Sequence, residues 1–353
     1  MLASLDGKAT RPMAEHYGRR AQGGVGMVIT ENVAINVAGR QMPRQPMLAE
    51  EAAVGSFAMV ATEIRKYGAL AIIQIVHAGR YAGPWDQWDA APRLAPSAIP
   101  FQLPPNRVVT PAVMSAGQIA AAIEAFANTA RLAERAGFDG VDVHGGRGFL
   151  ISSFLSPRMN KREDAYGGDF ARRTRFLHEV IAAIRASVSP GFIVGLHLMS
   201  DELIENGWQL EDSLELVGEL QSSGLDFVMP MVSTFETMRM TGNEGLTARP
   251  LFQHEETRAI ASATKIPVFA NGGFRHLTVI ERTIAAGETA AVGLARPLFA
   301  DPDWLDHASC SPNTTGYCPC ASMLCLRTQL TGSLCESWPE AVKERGYLGY
   351  EHS

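Results

Sequence analysis

The sequence predicts a parallel α/β barrel, a (β/α)8 plan of the TIM type, and three observations carry that expectation. Seven short apolar runs rich in β-branched residues recur at 26–31, 70–76, 138–144, 192–198, 225–232, 266–271 and 291–294. Most are followed by a segment of helical period, and strands alternating with helices over this length give a parallel sheet with helices outside it. No glycine-rich dinucleotide fingerprint follows the first run, because the glycines of GGVGMVITEN precede the strand, so a closed barrel is preferred to a doubly wound sheet. The third run ends in His144, and a buried strand releasing a polar side chain at its C-terminal end is how such barrels build sites.

Each element has its own local justification. The run at 70–76 is apolar except for Gln74, and QIVHAGR leads from it into a long connection. That connection, 81–111, holds Pro84, Pro92, Pro96, Pro100, Pro104, Pro105 and Pro111 with Trp85 and Trp88, and reads as a stiff flap. Its tryptophans either line a pocket or pack on the barrel rim. Residues 117–136 place Ile119, Ala122, Ile123, Phe126, Ala130 and Ala133 on one helical stripe. The run at 192–198 carries His197 near its end, 266–271 runs into Asn271-Gly272-Gly273, and 291–294 into Ala295-Arg296.

Composition bounds the function. The 353 residues are 46% hydrophobic and 19% charged, with net charge −6, which gives no hint of nucleic-acid or membrane partners. There is no apolar stretch of about 20 residues and no apolar leader in MLASLDGKATRPM. The five cysteines all lie from Cys310 to Cys335 instead of being spread as a disulfide framework, which points to a reducing, cytoplasmic setting. The chain divides into a barrel over 1–308 and a cysteine-containing extension over 309–353 packed on it. The oligomeric state is left open, a homo-oligomer included.

The most informative segment reads HGGRGFLISSFLSPRMNKREDAYGG, beginning at His144. It closely resembles the Old Yellow Enzyme family of FMN-dependent oxidoreductases, whose motif is roughly HGAHGYLxxQFLSPxxNxRxDxYGG. The resemblance runs from Asp6 to Pro339 and implies a barrel that binds FMN and uses NAD(P)H as co-substrate. In that family a first strand precedes the segment resembling DGKATRPMAEHYGRRAQGGVGMVITEN, whereas here about five residues stand before Asp6. The first barrel strand is therefore expected to be missing, either because the true start lies upstream, which is preferred since an open edge is a liability, or because this barrel has lost an edge.

The resemblance assigns roles residue by residue. His144 is expected to donate a hydrogen bond to a substrate carbonyl or phenolate oxygen, stabilising the enolate formed as hydride arrives. Gln74 matches the glutamine whose amide meets the pyrimidine edge of the flavin. Asn271, Gly272 and Gly273, with Ala295 and Arg296, stand where such barrels bind phosphate. Four positions depart from the family. Arg147 replaces a histidine or asparagine, and either holds a carboxylate or oxyanion or turns outward to a loop acid. Phe149 replaces a tyrosine that donates a proton, which a phenyl ring cannot do. His197 replaces an arginine near flavin N1 and O2, and Ala295 replaces a glycine.

Larger relatives hold a [4Fe–4S] cluster on C-x2-C-x3-C-x11-C. Here the spacing is Cys318-x-Cys320-x4-Cys325-x9-Cys335, with Ala321 at the expected second ligand. A cluster, a zinc site and a degenerate remnant are all consistent with four thiols so placed. The function expected is an FMN-dependent oxidoreductase moving hydride between NAD(P)H, flavin and an unsaturated carbonyl-type small molecule. The rivals are a flavin-dependent desaturase or amine-type dehydrogenase, which dispenses with the tyrosine, and a degenerate barrel kept as a binding protein.

Overall fold

The computed structural model describes residues 2–83, 92–103, 107–311, 335, 336 and 338. All seven apolar runs become strands: β1 (Met27–Ile29), β2 (Leu70–Val76), β3 (Gly140–Gly145), β4 (Ile193–Asp201), β5 (Phe227–Val232), β6 (Phe269–Ala270) and β7 (Ala291–Val292). β1 to β5 lie side by side in chain order, every pair parallel. An isolated parallel bridge, Val228 to Val268, passes the sheet on to β6, which pairs with β7. Order in space equal to order in the chain is the winding of a barrel. Among the described residues no strand precedes β1, and the strands form an arc open between β7 and β1.

Seven helices cover this arc: α1 (Arg11–Gln22), α2 (Val54–Arg65), α3 (Ala116–Arg135), α4 (Phe170–Ser187), α5 (Leu210–Glu219), α6 (His254–Ala263) and α7 (Leu277–Ala285). The helix expected at 117–136 is α3, started by a reciprocal cap between Ser115 and Gln118. Of its predicted stripe, Ile119, Ala122, Phe126, Ala130 and Ala133 are buried, and Ile123 packs against the same core.

Side chains alternate along the strands. Val141, Val143, Val194, Leu196 and Leu198 join the hydrophobic layer beneath the helices. The intervening positions, Gln74, Asp142, His144, Gly195, His197, Phe227 and Met229, therefore face the barrel interior. Lower in that interior the Phe227 ring stacks on Phe269 at 4.6 Å.

The connection at 81–111 contains more structure than a stiff loop. Leu94–Ala95 pairs with Ala112–Val113, and Phe101–Leu103 forms an antiparallel pair with Arg107–Val109. Strands of two or three residues carry too little periodicity to be read from sequence. Buried Arg80 anchors this flap, donating to the Ile99 carbonyl at 3.2 Å with its guanidinium 4.6 Å from the Phe101 ring centre. Trp85 and Trp88 lie outside the described residues. No helix among the described residues is long and apolar enough to cross a membrane. In the extension, Cys335 is buried, and the Trp338 indole donates to the Phe299 carbonyl at 2.9 Å. Cys318, Cys320 and Cys325 lie outside the described residues.

Candidate active site

Strand register assembles the site. Gln74 on β2 stands opposite Asp142 on β3, and two residues on, His144 stands opposite His197 on β4. Because residues two apart share a face, Gln74, Asp142, His144 and His197 converge at the C-terminal end of the interior. Asp142 is fully buried, and one carboxylate oxygen, Oδ2, accepts from the Gln74 amide at 2.7 Å and from His197 Nδ1 at 2.7 Å. Its second oxygen, Oδ1, has no hydrogen-bond partner among the described residues.

The His144 and His197 rings lie 5.7 Å apart. The Gly146 N–H donates to His144 Nδ1 at 3.2 Å, so the neutral ring carries its proton on Nε2. Burial, then His197 and Arg147 nearby, pushes the His144 pKa well below its usual value. His144 is thus a neutral, one-proton donor at ordinary pH.

The turn after β3 is tightly constrained. A Cβ on Gly146 would fall 2.0 Å from Met231 Sδ, and Arg147 and Gly148 both adopt positive φ, 57° and 81°. Left-handed backbone costs an arginine roughly 1–2 kcal/mol. Its side chain offsets this by donating to the Val232 carbonyl at 3.0 Å and Ser233 Oγ at 2.8 Å. Arg147 therefore latches the turn after β3 to the loop after β5, one end of its guanidinium already engaged. It stays a cation although burial lowers its pKa to about 10.

Phe149 is buried in an aromatic box. Its ring meets His144 edge-on at 4.8 Å, Phe235 at 5.5 Å and Tyr81 at 6.3 Å. The Tyr81 hydroxyl is buried with no partner among the described residues, and burial raises its pKa.

At the ends of β6 and β7 the residues expected to cradle phosphate are brought together. Gly272 and Gly273 take φ of 88° and 90°, a conformation that favours glycine. Arg296 donates to the Thr247 carbonyl and Arg275 to the Ala248 carbonyl, so two guanidinium groups meet at one turn. Ala295 caps the short helix Arg296–Ala300. The Asn271 amide is used internally, donating to the Pro230 carbonyl at 2.8 Å while accepting from Gln253. Met229 links the two groups: it is the register partner of His197, and its methyl lies 3.4 Å from a Cβ built on Gly293.

These residues fit a flavin mononucleotide. Gln74 and His197 offer hydrogen-bonding groups suited to a pyrimidine edge, and the paired glycines with Arg275 and Arg296 suit a phosphate. Sequence reasoning missed two participants. Arg275 lies in an unremarkable polar stretch. Asp142 did leave a signal, an acid alternating with valines in VDVH, which marks an inward-facing carboxylate on a buried strand.

Residues 1–313 match the model of a family described as NADH:flavin oxidoreductase / NADH oxidase. The NADH oxidase of Thermoanaerobacter brockii is 32% identical over 306 residues, covering 86% of this chain and 46% of that protein. The NADPH dehydrogenase of Halalkalibacterium halodurans is 36% identical over 310 residues, covering 88% of this chain and 87% of the relative. A 2-naphthoyl-CoA reductase structure with 2-naphthoyl-CoA superimposes with TM-score 0.86 at 25% identity, covering 97% of this chain and 54% of that one. Morphinone reductase superimposes with TM-score 0.72 at 24% identity over 88% of this chain and 84% of that one. The chain thus spans less than half the T. brockii protein but most of the H. halodurans one.

Proposed function

Since the chain belongs to the NADH:flavin oxidoreductase family, that of Old Yellow Enzyme, we propose that it is an FMN-dependent oxidoreductase on an α/β barrel. It moves hydride between NAD(P)H, flavin and a small molecule bearing an unsaturated carbonyl or comparable oxygen. The observation that carries this reading is His144, a buried imidazole held neutral with its single proton on Nε2.

FMN bound there would supply the hydride carrier; the chain's own residues do the rest. The His144 Nε2–H would bond the substrate oxygen and stabilise negative charge that gathers on it, the task of an oxyanion donor. The Arg147 cation, latched by the loop after β5, adds a fixed positive charge beside that donor and helps keep His144 neutral. Gln74 and His197 would hold the pyrimidine edge of the flavin, and Gly272, Gly273, Arg275 and Arg296 its phosphate. The aromatic box of Phe149, Tyr81 and Phe235 keeps water from this side of the pocket.

Phe149 favours a second reading. A phenyl ring packed on His144 leaves the usual proton donor's position filled and inert, which suits an oxidising reaction: desaturation or amine-type dehydrogenation. The proposal is tested by titrating flavin-free protein with FMN and with riboflavin. Tight uptake of FMN with a red-shifted, structured absorbance, and much weaker uptake of riboflavin, supports it. Binding of neither, or of both alike, overturns the assigned phosphate cradle.

A further inference from the structure

The Asp142 carboxylate sits fully buried in the barrel interior, and its Oδ1 has no partner among the described residues. Leaving a buried acceptor unsatisfied costs about 1–3 kcal/mol, more when it is charged. Barrel interiors are ordinarily filled by branched apolar side chains. A strand that could carry leucine at no such cost, yet carries an acid, is the kind of local violation found at functional positions.

What Asp142 does follows from the triangle around Oδ2. Gln74 Nε2 and His197 Nδ1 each lie 2.7 Å from that oxygen and 3.2 Å from one another. An ionised carboxylate only accepts. The side of Gln74 that faces it must be the NH2 group, and the His197 nitrogen that faces it must carry a proton. Two donors converging on one acceptor also account for the 3.2 Å separation, an edge of the triangle between groups that share a partner. With NH2 turned inward, Gln74 presents its carbonyl oxygen outward as an acceptor. With Nδ1–H turned inward, His197 presents Nε2 outward. Both orientations are thus fixed from below by one carboxylate, on a strand that neither residue belongs to.

We infer that Asp142 is a positioning residue that sets the hydrogen-bond pattern offered to the flavin's pyrimidine ring. The inference rests on the proposed flavin site, and it gives that site a specific pattern. Gln74 Oε1 accepts from the one N–H of the pyrimidine edge, the imide. His197 can donate to a flavin oxygen, as an arginine there would, only when both of its nitrogens carry protons, the inner one bonded to Asp142. The groups that face His197 are Asp142 and His144 from β3, Gln74 from β2 and, in register, Met229 from β5. Asp142 is the acid among them.

The test uses the tautomer of His197, read on flavin-free protein by long-range proton–nitrogen NMR and assigned with a His197→Gln variant. The parent should show the proton on Nδ1. Asp142→Leu removes the acceptor, so the Nδ1–H signal should be lost and FMN affinity should fall roughly tenfold, as for other partners that orient a binding residue. Asp142→Asn keeps a carbonyl oxygen that both donors can reach, and should retain the Nδ1 proton and most of the affinity. A parent whose neutral His197 carries its proton on Nε2 overturns the inference without any variant. An equal loss of FMN affinity in the Asn and Leu variants also overturns it, since a role in charge or space filling alone would then suffice. If the parent takes up no FMN, the flavin reading fails, and the tautomer still decides whether Asp142 orients His197.

Discussion

The Phe149 ring meets the His144 imidazole edge-on at 4.8 Å, so the residue standing where the family motif has tyrosine packs against the proposed substrate-oxygen donor. Phe149→Tyr adds one hydroxyl to the ring that flanks His144. If enone reduction is the native direction and protonation limits it, reoxidation of reduced flavin by an enone should accelerate by up to about 10²-fold. Flavin reduction by NAD(P)H should hardly change. Rapid mixing of the two half-reactions separates the cases, and an unchanged enone step in a variant that holds FMN favours the oxidising reading.

Gly195 makes room for Phe227. A Cβ on Gly195 would fall 2.0 Å from Phe227 Cζ, and that ring is stacked on Phe269 at 4.6 Å. Gly195→Ala should cost about 2–3 kcal/mol, the upper part of the overpacking range. Adding Phe227→Leu should recover part of the loss. Urea midpoints of the two variants and the parent decide it, and a parent-like midpoint for Gly195→Ala would show that the interior is looser than described.

Stability should fall on the acid side through His77. Its Nδ1 accepts from the Gly79 N–H at 3.0 Å, and burial lowers its pKa from 6.5 to about 4. The folded pKa lies below the unfolded one, so the unfolded chain binds the proton first. The stabilising contribution is complete above about pH 6.5 and is lost as pH falls towards about 4, by up to about 3 kcal/mol. His144, held down by the same cause, adds in the same direction. Urea midpoints at about pH 7 and about pH 5 should differ less in His77→Gln than in the parent.

Arg296→Ala should weaken FMN binding by about 1.5–3 kcal/mol, the range for a hydrogen bond to a charged group, and leave riboflavin binding unchanged. Arg275→Ala should do the same, as both guanidinium groups meet at the 247–248 turn. Equilibrium titration measures both. A variant with parent-like FMN affinity removes that arginine from the phosphate site.

Strand positions were legible because the barrel is made of parallel strands covered on the outside, and such strands read as dense β-branched runs. The helix stripe of α3 was legible for the same reason, since burial repeats at helical period. His144 stands out as a polar side chain at the end of an apolar run, whereas His197 is singled out only by the resemblance, as the residue in place of an arginine. The acid within VDVH signals an inward-facing carboxylate, but what Asp142 holds is legible only once its partners from β2 and β4 are known. Those partners are 68 and 55 residues away in sequence. The flap strands Leu94–Ala95 and Phe101–Leu103 were missed because elements so short are fixed by tertiary pairing and leave no period. That Arg147 is spent on the Val232 carbonyl and Ser233 was likewise invisible, since it depends on a loop packed across the barrel mouth.

The central claim is that His144 holds the substrate oxygen while hydride moves. FMN-loaded protein is reduced anaerobically with NAD(P)H, then mixed with a small enone while flavin absorbance is followed, in the parent and in His144→Ala. The account predicts that the two proteins are reduced at similar rates, and that reoxidation is slower by about 10²–10³-fold in the variant, the cost of removing one oxyanion donor. Reoxidation of His144→Ala at the parent's rate would contradict it.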